Sequence, residues 1–125
     1  LAHTYMQSRN DTYVMELAIQ YIRRNYPKPI TLAMVSNEVS LNYAYFSTMF
    51  SKYTGKTFSE YLRNTRMEKA KELLRQPDIS IAEVAAQVGY ENYKSFYRAF
   101  KDAVGTTPVE YQQKKYRIHR EDEKQ

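Results

Sequence analysis

Apolar residues recur along this chain at intervals of three and four positions, which is the period of an amphipathic α-helix. The first such stripe follows Asp11, a residue type suited to cap a helix, and it stops before Pro27 and Pro29. The alternation with a period of two that marks half-buried strands does not occur in the sequence. The pattern therefore predicts an all-α fold. The core positions expected on the first helix are Val14, Leu17, Ala18, Tyr21 and Ile22.

Capping residues divide the next part of the chain. Thr31 is expected to cap a short helix that reaches about Val39, and Asn42 a longer helix that Gly55 ends. A capping box at 57–60 then opens a long helix that reaches about Gln76 and is closed by a proline. The buried side expected for this long helix consists of Phe58, Tyr61, Leu62, Ala70, Leu73 and Leu74.

The remaining sequence repeats these signals. A second capping box at 80–83 opens a short helix that ends at Gly89, and a longer helix follows over 92–104. A third box at 107–110 opens the last helix, with Pro108 at the favoured first position. The total is about seven helices.

Residues 30–61 and 79–111 form an internal sequence repeat. The offset between matching residues is 49, and it becomes 50 after one extra residue in the second copy. Each copy is a short helix, a tight turn and a longer helix, which fits a helix-turn-helix but also a plain helical hairpin. Ser40 stands where the second copy has Gly89, so the first turn is expected to differ in geometry. The matched pairs are mainly caps, turns and core aromatics, such as Ile30 with Ile79, Asn42 with Asn92, Phe50 with Phe100 and Tyr61 with Tyr111.

These signals predict two helix-turn-helix subdomains joined by a long linker helix. Residues 1–11 are polar and unpatterned, and we interpret them as a linker from an upstream domain. The predicted organisation is a linker over 1–11, a first subdomain over 12–56, the linker helix over 57–76, a second subdomain over 77–116, and a charged, fraying tail over 117–125.

The two longer helices present different outward faces. Behind them, the expected core stripes are Phe46, Met49, Phe50 and Tyr53 in the first copy and Phe96, Ala99, Phe100 and Ala103 in the second. The outward positions are Ala44, Ser47, Thr48 and Ser51 in the first copy and Lys94, Tyr97, Arg98 and Lys101 in the second. A recognition helix presents such a face to the DNA major groove, where an arginine can hold O6 and N7 of a guanine. The alternative interpretation is a basic face that is only solvated and contacts no DNA. For Lys101 the two interpretations are equally good.

The length of the linker helix supplies a distance check. About 20 residues at about 1.5 Å each span roughly 30 Å. Successive major-groove segments on one face of B-DNA lie about 34 Å apart. The predicted helix could therefore hold two reading helices one turn of DNA apart.

Composition narrows the function classes. The 125 residues carry a net charge of +5, which favours an anionic partner, and they include no cysteine, which excludes thiolate metal sites and fits a reducing cytosol. No apolar run approaches the length of a membrane span. The two histidines stand near opposite ends, and the notable carboxylates are accounted for as helix caps, so we predict no catalytic residues, no metal site and no cofactor.

At this point the sequence resembles the DNA-binding domain of the AraC/XylS family of bacterial transcription regulators. The resemblance covers roughly residues 13–115 and rests on the segments 79–90, 96–101 and 105–111, supported by 45–52 and 61–74. It implies two recognition helices in successive major-groove segments of double-stranded DNA. Thr48 departs from the pattern, since many relatives have arginine there.

The resemblance also implies roles for individual residues. The base-reading positions are Ala44, Ser47, Thr48, Tyr93, Lys94, Tyr97 and Arg98. The positions implied near phosphates are Ser51, Lys52, Lys56, Thr57, Arg66 and Lys101, although an intramolecular salt bridge explains Arg66 equally well. Because only the second outward face is cationic, we hypothesise that it supplies most of the sequence discrimination and that the first mainly positions the domain.

Other functions and partners follow from the same analysis. A helical protein-interaction module without DNA binding is the alternative from another class, and RNA binding is a third, less suited to paired helix-turn-helix units. The resemblance implies a cytoplasmic protein that contacts RNA polymerase and carries an upstream sensor, dimerisation or receiver domain. It implies no membrane contact for this domain.

Overall fold

The computed structural model describes the backbone of residues 2–124 and the side chains of residues 10–116. Over that backbone the regular structure consists of seven helices. Their bounds are α1 Ala2–Asn25, α2 Leu32–Glu38, α3 Tyr43–Thr54, α4 Phe58–Leu73, α5 Ile81–Gln87, α6 Tyr93–Val104 and α7 Pro108–Lys124. The predicted all-α class and the number of helices are confirmed.

The predicted caps hold these helices in place. The Thr31 hydroxyl accepts a hydrogen bond from the Met34 backbone N–H at 3.2 Å, and the Asn42 side chain accepts one from Tyr45 at 3.1 Å. Ser80 and Asn92 do the same for α5 and α6. Each cap satisfies a backbone donor that the first turn of a helix leaves without a partner, so the short helices α2 and α5 begin where the sequence indicated.

Both terminal helices are longer than the apolar stripes predicted. Helix α1 begins at Ala2, so Asp11 lies inside it and does not cap it, and α7 continues past Tyr116 to Lys124. Residues 2–10 and 117–124 contain no glycine or proline to stop a helix. They also lack the apolar periodicity by which a helix is found in a sequence, which is why the prediction ended too early at both ends.

The linker helix α4 is shorter than predicted. It comprises 16 residues and ends at Leu73, before Gln76 and Pro77. The Arg75 and Gln76 amides donate to carbonyls three residues back, at 3.3 and 3.1 Å, so the last turn tightens ahead of the proline. Sixteen residues span about 24 Å, so the length of this helix alone falls short of the DNA repeat of about 34 Å.

The chain divides into two compact units, Leu1–Leu62 and Arg63–Gln125. The first unit buries one face of α1 against α2, α3 and the start of α4. Leu17, which was predicted in this core, is 37% exposed, and Met15 and Ile19 are buried on that face of the helix instead. The core of the first unit consists of Met15, Ala18, Ile19, Ile22, Ile30, Val35, Phe46, Phe50, Phe58 and Leu62.

The second unit repeats the aromatic packing of the first. The ring centroids of Phe46 and Phe50 are 5.6 Å apart, and those of Phe96 and Phe100 are 5.8 Å apart. Tyr61 meets Phe50 edge-on at 5.3 Å, as its counterpart Tyr111 meets Phe100 at 5.6 Å. The internal sequence repeat thus corresponds to a repeated arrangement of core aromatic residues. The second unit also buries Met67, Ala70, Leu74, Val84, Ala85 and Val88.

The turns inside the two motifs adopt the same geometry, contrary to the expectation from Ser40. Ser40 has φ +58° and Gly89 has φ +102°, both in the left-handed region. The hydrogen bonds also correspond: Leu41 N–H donates to Ser36 O and Tyr90 N–H to Ala85 O, each at 2.9 Å. The helix-turn geometry fixes the backbone here, and a serine adopts the conformation that glycine adopts in the second copy.

Candidate nucleic-acid interface

The outward face of α6 gathers the predicted reading residues of the second unit. Lys94, Arg98 and Lys101 are exposed, Tyr93 is 43% exposed, and Tyr97 is half-buried. All five line one open groove of about 460 Å³ together with Asp102. The structure thus brings three cations, two aromatic rings and one carboxylate onto one surface.

Buried aromatic rings and a side-chain cap fix the orientation of this face. Phe96 and Phe100 are fully buried on the inner side of α6, so the outer side faces solvent. At the N-terminus, the Asn92 side chain accepts hydrogen bonds from the Lys94 and Ser95 amides at 2.7 and 3.4 Å. Ala103, which was predicted in the core, is exposed. The small side chain of alanine gives little indication of whether its position is buried or exposed.

The outward face of α3 carries no formal charge over its base-reading positions. Ala44 and Thr48 are exposed, while Ser47 and Ser51 are half-buried. Tyr43 is 56% exposed beside them, and sequence reasoning did not place it among the reading residues. The signal was available, because Tyr43 is the counterpart of Tyr93 in the repeat.

The candidate phosphate contacts of the first unit lie around the end of α3 and the start of α4. Lys52, Lys56 and Thr57 are exposed. The Thr57 hydroxyl accepts a hydrogen bond from the Glu60 amide at 3.2 Å, so it caps α4 as predicted. The Lys56 amide donates to the Thr54 hydroxyl at 3.2 Å, which orders the short connection between the helices.

Arg66 is engaged within its own unit. Its guanidinium carbon lies 5.6 Å from the centroid of the Tyr90 ring, a cation–π distance. Burial lowers the pKa of Arg66, and Tyr90 acts in the opposite direction. Burial likewise raises the pKa of Tyr90, opposed by Arg66 and Arg63. Tyr90 is thus one intramolecular partner of Arg66, and the phosphate role of Arg66 stays a prediction.

Two tyrosine–carboxylate hydrogen bonds tie α3 to α1. The Tyr45 hydroxyl donates to Asp11 at 2.9 Å, and the Tyr53 hydroxyl donates to Glu16. Each hydrogen bond raises the pKa of its tyrosine, helped by desolvation. Tyr53 was predicted in the core but is 41% exposed, because its hydroxyl reaches this carboxylate at the rim. Sequence reasoning missed both pairs, since more than 30 residues separate the partners and nothing in the local pattern joins them.

A different contact orders the second motif. The Gln112 side-chain amide on α7 donates to the backbone carbonyls of Gln76 and Ile79, both at 2.9 Å. These carbonyls lie in the loop that leads to the Ser80 cap of α5. The last helix therefore holds the start of the second helix-turn-helix motif in place.

Among the described residues, no three histidine or acidic side chains lie close enough together to hold a metal ion. In the same part of the chain, no helix combines the length and the apolar character needed to cross a membrane.

Residues 35–114 match the family described as "Helix-turn-helix domain". Among curated proteins, the chain is 34% identical over 99 residues to the regulatory protein PocR of Salmonella typhimurium. That match covers 79% of this chain and 33% of PocR, so the chain spans about a third of that protein's length.

Solved structures share the fold. The C-terminal domain of AraT, a response regulator from Geobacillus stearothermophilus, has a TM-score of 0.78 and 34% identity, covering 81% of this chain and 84% of that one. The DNA-binding domain of AdpA, solved in complex with a target DNA, has a TM-score of 0.78 at 21% identity, covering 85% of this chain and 95% of that one. At that identity AdpA supports the fold alone.

The class that the fold and the comparisons define is therefore the helix-turn-helix domain, and the relative named above that shares it is a regulatory protein. Within that class, the chain belongs to the AraC/XylS family, as the sequence resemblance predicted. Its characterised relatives are bacterial regulators, which favours DNA binding over a protein-interaction module.

Proposed function

We propose that this chain binds double-stranded DNA in a sequence-specific manner, with α3 and α6 as its two reading helices in the major groove. The observation that carries the proposal is the outward face of α6. Its exposed lysines and arginine line one groove together with two tyrosines, on the side of the helix opposite a fully buried aromatic stripe. A helix of this kind offers cations to phosphates and a guanidinium fork to base edges.

The neutral face of α3 is the second reading surface of the proposal. It occupies the same place in its motif as the face of α6, and both helices have asparagine caps and left-handed glycines at their ends. Family members are expected to place the two helices in successive major-groove segments. The proposed phosphate contacts are Ser51, Lys52, Lys56, Thr57, Arg66 and Lys101.

The full-length protein is proposed to be a transcription regulator of the bacterial cytoplasm. PocR is a regulatory protein and AraT is a response regulator, which supports an upstream sensor, dimerisation or receiver domain. RNA polymerase is the further protein partner proposed for such a regulator. Residues 1–11 remain the proposed connection, and helix α1 includes residues 2–11 of it.

In vitro selection of bound duplexes from a randomised pool tests this proposal. Two short preferred blocks centred about 10 base pairs apart are expected, because successive major-groove segments on one face repeat at that distance. A single preferred block would contradict docking by two reading helices. Selection of no preferred sequence at all would contradict sequence-specific binding itself.

A further inference from the structure

The two reading faces differ systematically in the size of their side chains. At four equivalent positions α3 carries a small residue where α6 carries a long one: Ala44 against Lys94, Ser47 against Tyr97, Thr48 against Arg98 and Ser51 against Lys101. All eight side chains lie on outward or half-buried positions of the two helices. The difference is therefore a property of the whole face and not of one substitution.

The chemistry of the α3 face limits what it can read. It presents methyl groups from Ala44 and Thr48, hydroxyls from Ser47 and Thr48, and the ring of Tyr43. None of these groups can make the paired hydrogen bonds by which arginine reads guanine or glutamine reads adenine. Small side chains also let the helix backbone come close to the base edges. At that distance, the face can make single hydrogen bonds from its hydroxyls and apolar contact with the thymine methyl group, and only the methyl contact singles out one base.

The chemistry of the α6 face points to a different base. The exposed Arg98 stands in the middle of the groove, between Lys94 and Lys101 one turn away on either side. A guanidinium fork matches O6 and N7 of guanine, and this pair is the commonest specific contact in the major groove.

We propose that the two reading helices recognise chemically different half-sites. The α3 helix, through Tyr43, Ala44 and Thr48, recognises thymine methyl groups, and α6, through Arg98, recognises guanine. This inference rests on the proposed DNA binding and assigns the base class of each half. It also makes Tyr43 a specificity-determining residue.

Base analogues in the selected duplex test the two halves separately. Deoxyuridine in place of thymidine removes only the methyl group, and 7-deazaguanine in place of guanine removes only the N7 acceptor. In the block bound by α3, loss of one contacted methyl should weaken binding about fourfold, the equivalent of about 0.8 kcal/mol for one buried carbon. In the block bound by α6, the N7 change should weaken binding about tenfold, within the range for a good bidentate contact.

Two protein variants assign each effect to its helix. With Arg98→Ala, the 7-deazaguanine penalty should disappear while the deoxyuridine penalty persists. With the double variant Ala44→Ser and Thr48→Ser, the deoxyuridine penalty should shrink while the 7-deazaguanine penalty persists. Each variant is thus the matched control of the other, and far-UV circular dichroism checks that both remain helical. All of these positions are solvent-facing, so the core is left intact.

The outcomes separate this inference from the proposed function. Specific binding in which the α3 block ignores deoxyuridine, or in which Arg98→Ala leaves the 7-deazaguanine penalty unchanged, overturns the assignment of half-sites and leaves DNA recognition standing. Absence of any sequence preference overturns the proposed function instead.

Discussion

Ser40 shows how one residue can carry a conformational cost that its sequence counterpart avoids. It holds φ +58° in the turn of the first motif, where the second motif uses Gly89. A side chain in the left-handed region costs about 1–2 kcal/mol, and a glycine removes that cost but loses up to about 1 kcal/mol in backbone entropy on folding. The balance at this position favours glycine.

We therefore expect Ser40→Gly to raise the free energy of unfolding by about 0.5–1 kcal/mol. Urea denaturation followed by circular dichroism measures the change. Ser40→Ala is the control, since it keeps the β-carbon and should not stabilise the chain. A lower unfolding midpoint for Ser40→Gly than for the unchanged chain would contradict the strain argument.

At the scale of whole elements, sequence signals located the helices well wherever a side chain caps them. Thr31, Asn42, Ser80 and Asn92 each bond to the first turn of their helix. The first three were predicted as caps, whereas Asn92 was predicted only as the start of its helix. Local hydrogen bonds of this kind span three residues and can be recognised from the sequence. The start of α1 and the C-terminal ends of α4 and α7 were misplaced, because no side-chain cap of this kind marks those positions in the sequence.

The orientation of α3 depends on contacts that no local pattern reveals. Tyr45 and Tyr53 reach Asp11 and Glu16 on α1, and only the folded unit brings these partners together. The candidate site was therefore predictable in its helical stripes, which depend on periodicity. Its supporting contacts were not, because they join distant parts of the chain.

These two hydrogen bonds predict a pH dependence. Both tyrosine pKa values are raised above the ordinary value of 10.0, so each bond stabilises the fold below pH 10 and is lost as the pH rises through the higher folded pKa. Stability should therefore fall more steeply as the pH rises above 10 in the unchanged chain than in the double variant Tyr45→Phe and Tyr53→Phe. Urea midpoints across this range measure the difference. The single variant Tyr13→Phe, at an exposed tyrosine of α1, is the control.

At the scale of the whole molecule, the uneven placement of charge matters more than its total. The net charge of +5 is modest, yet three exposed cations lie together on α6 and none lies on the four outward positions of α3. If α3 reads by contact and α6 by charge, the share of the salt dependence that comes from the two outward faces should come largely from α6. The two copies of the repeat thus share a helical scaffold, while the outward faces of α3 and α6 differ in charge and in side-chain size.

Lys101 gives the sharpest test of this division. It lies in the last turn of α6, whereas the N-terminal part of a recognition helix contacts bases, so its ammonium group is expected to reach a phosphate. Replacing it with alanine should weaken binding to all sequences alike and reduce the slope of log K against log salt by about 0.9, the value for one phosphate. Binding titrations on a selected and a scrambled duplex at several salt concentrations measure both effects.

Lys114→Ala removes the same charge from an exposed position on α7 and should leave the slope nearly unchanged. Equal slopes for the Lys101→Ala and Lys114→Ala variants would indicate a solvated lysine, and a loss confined to the selected duplex would make Lys101 a base-reading residue.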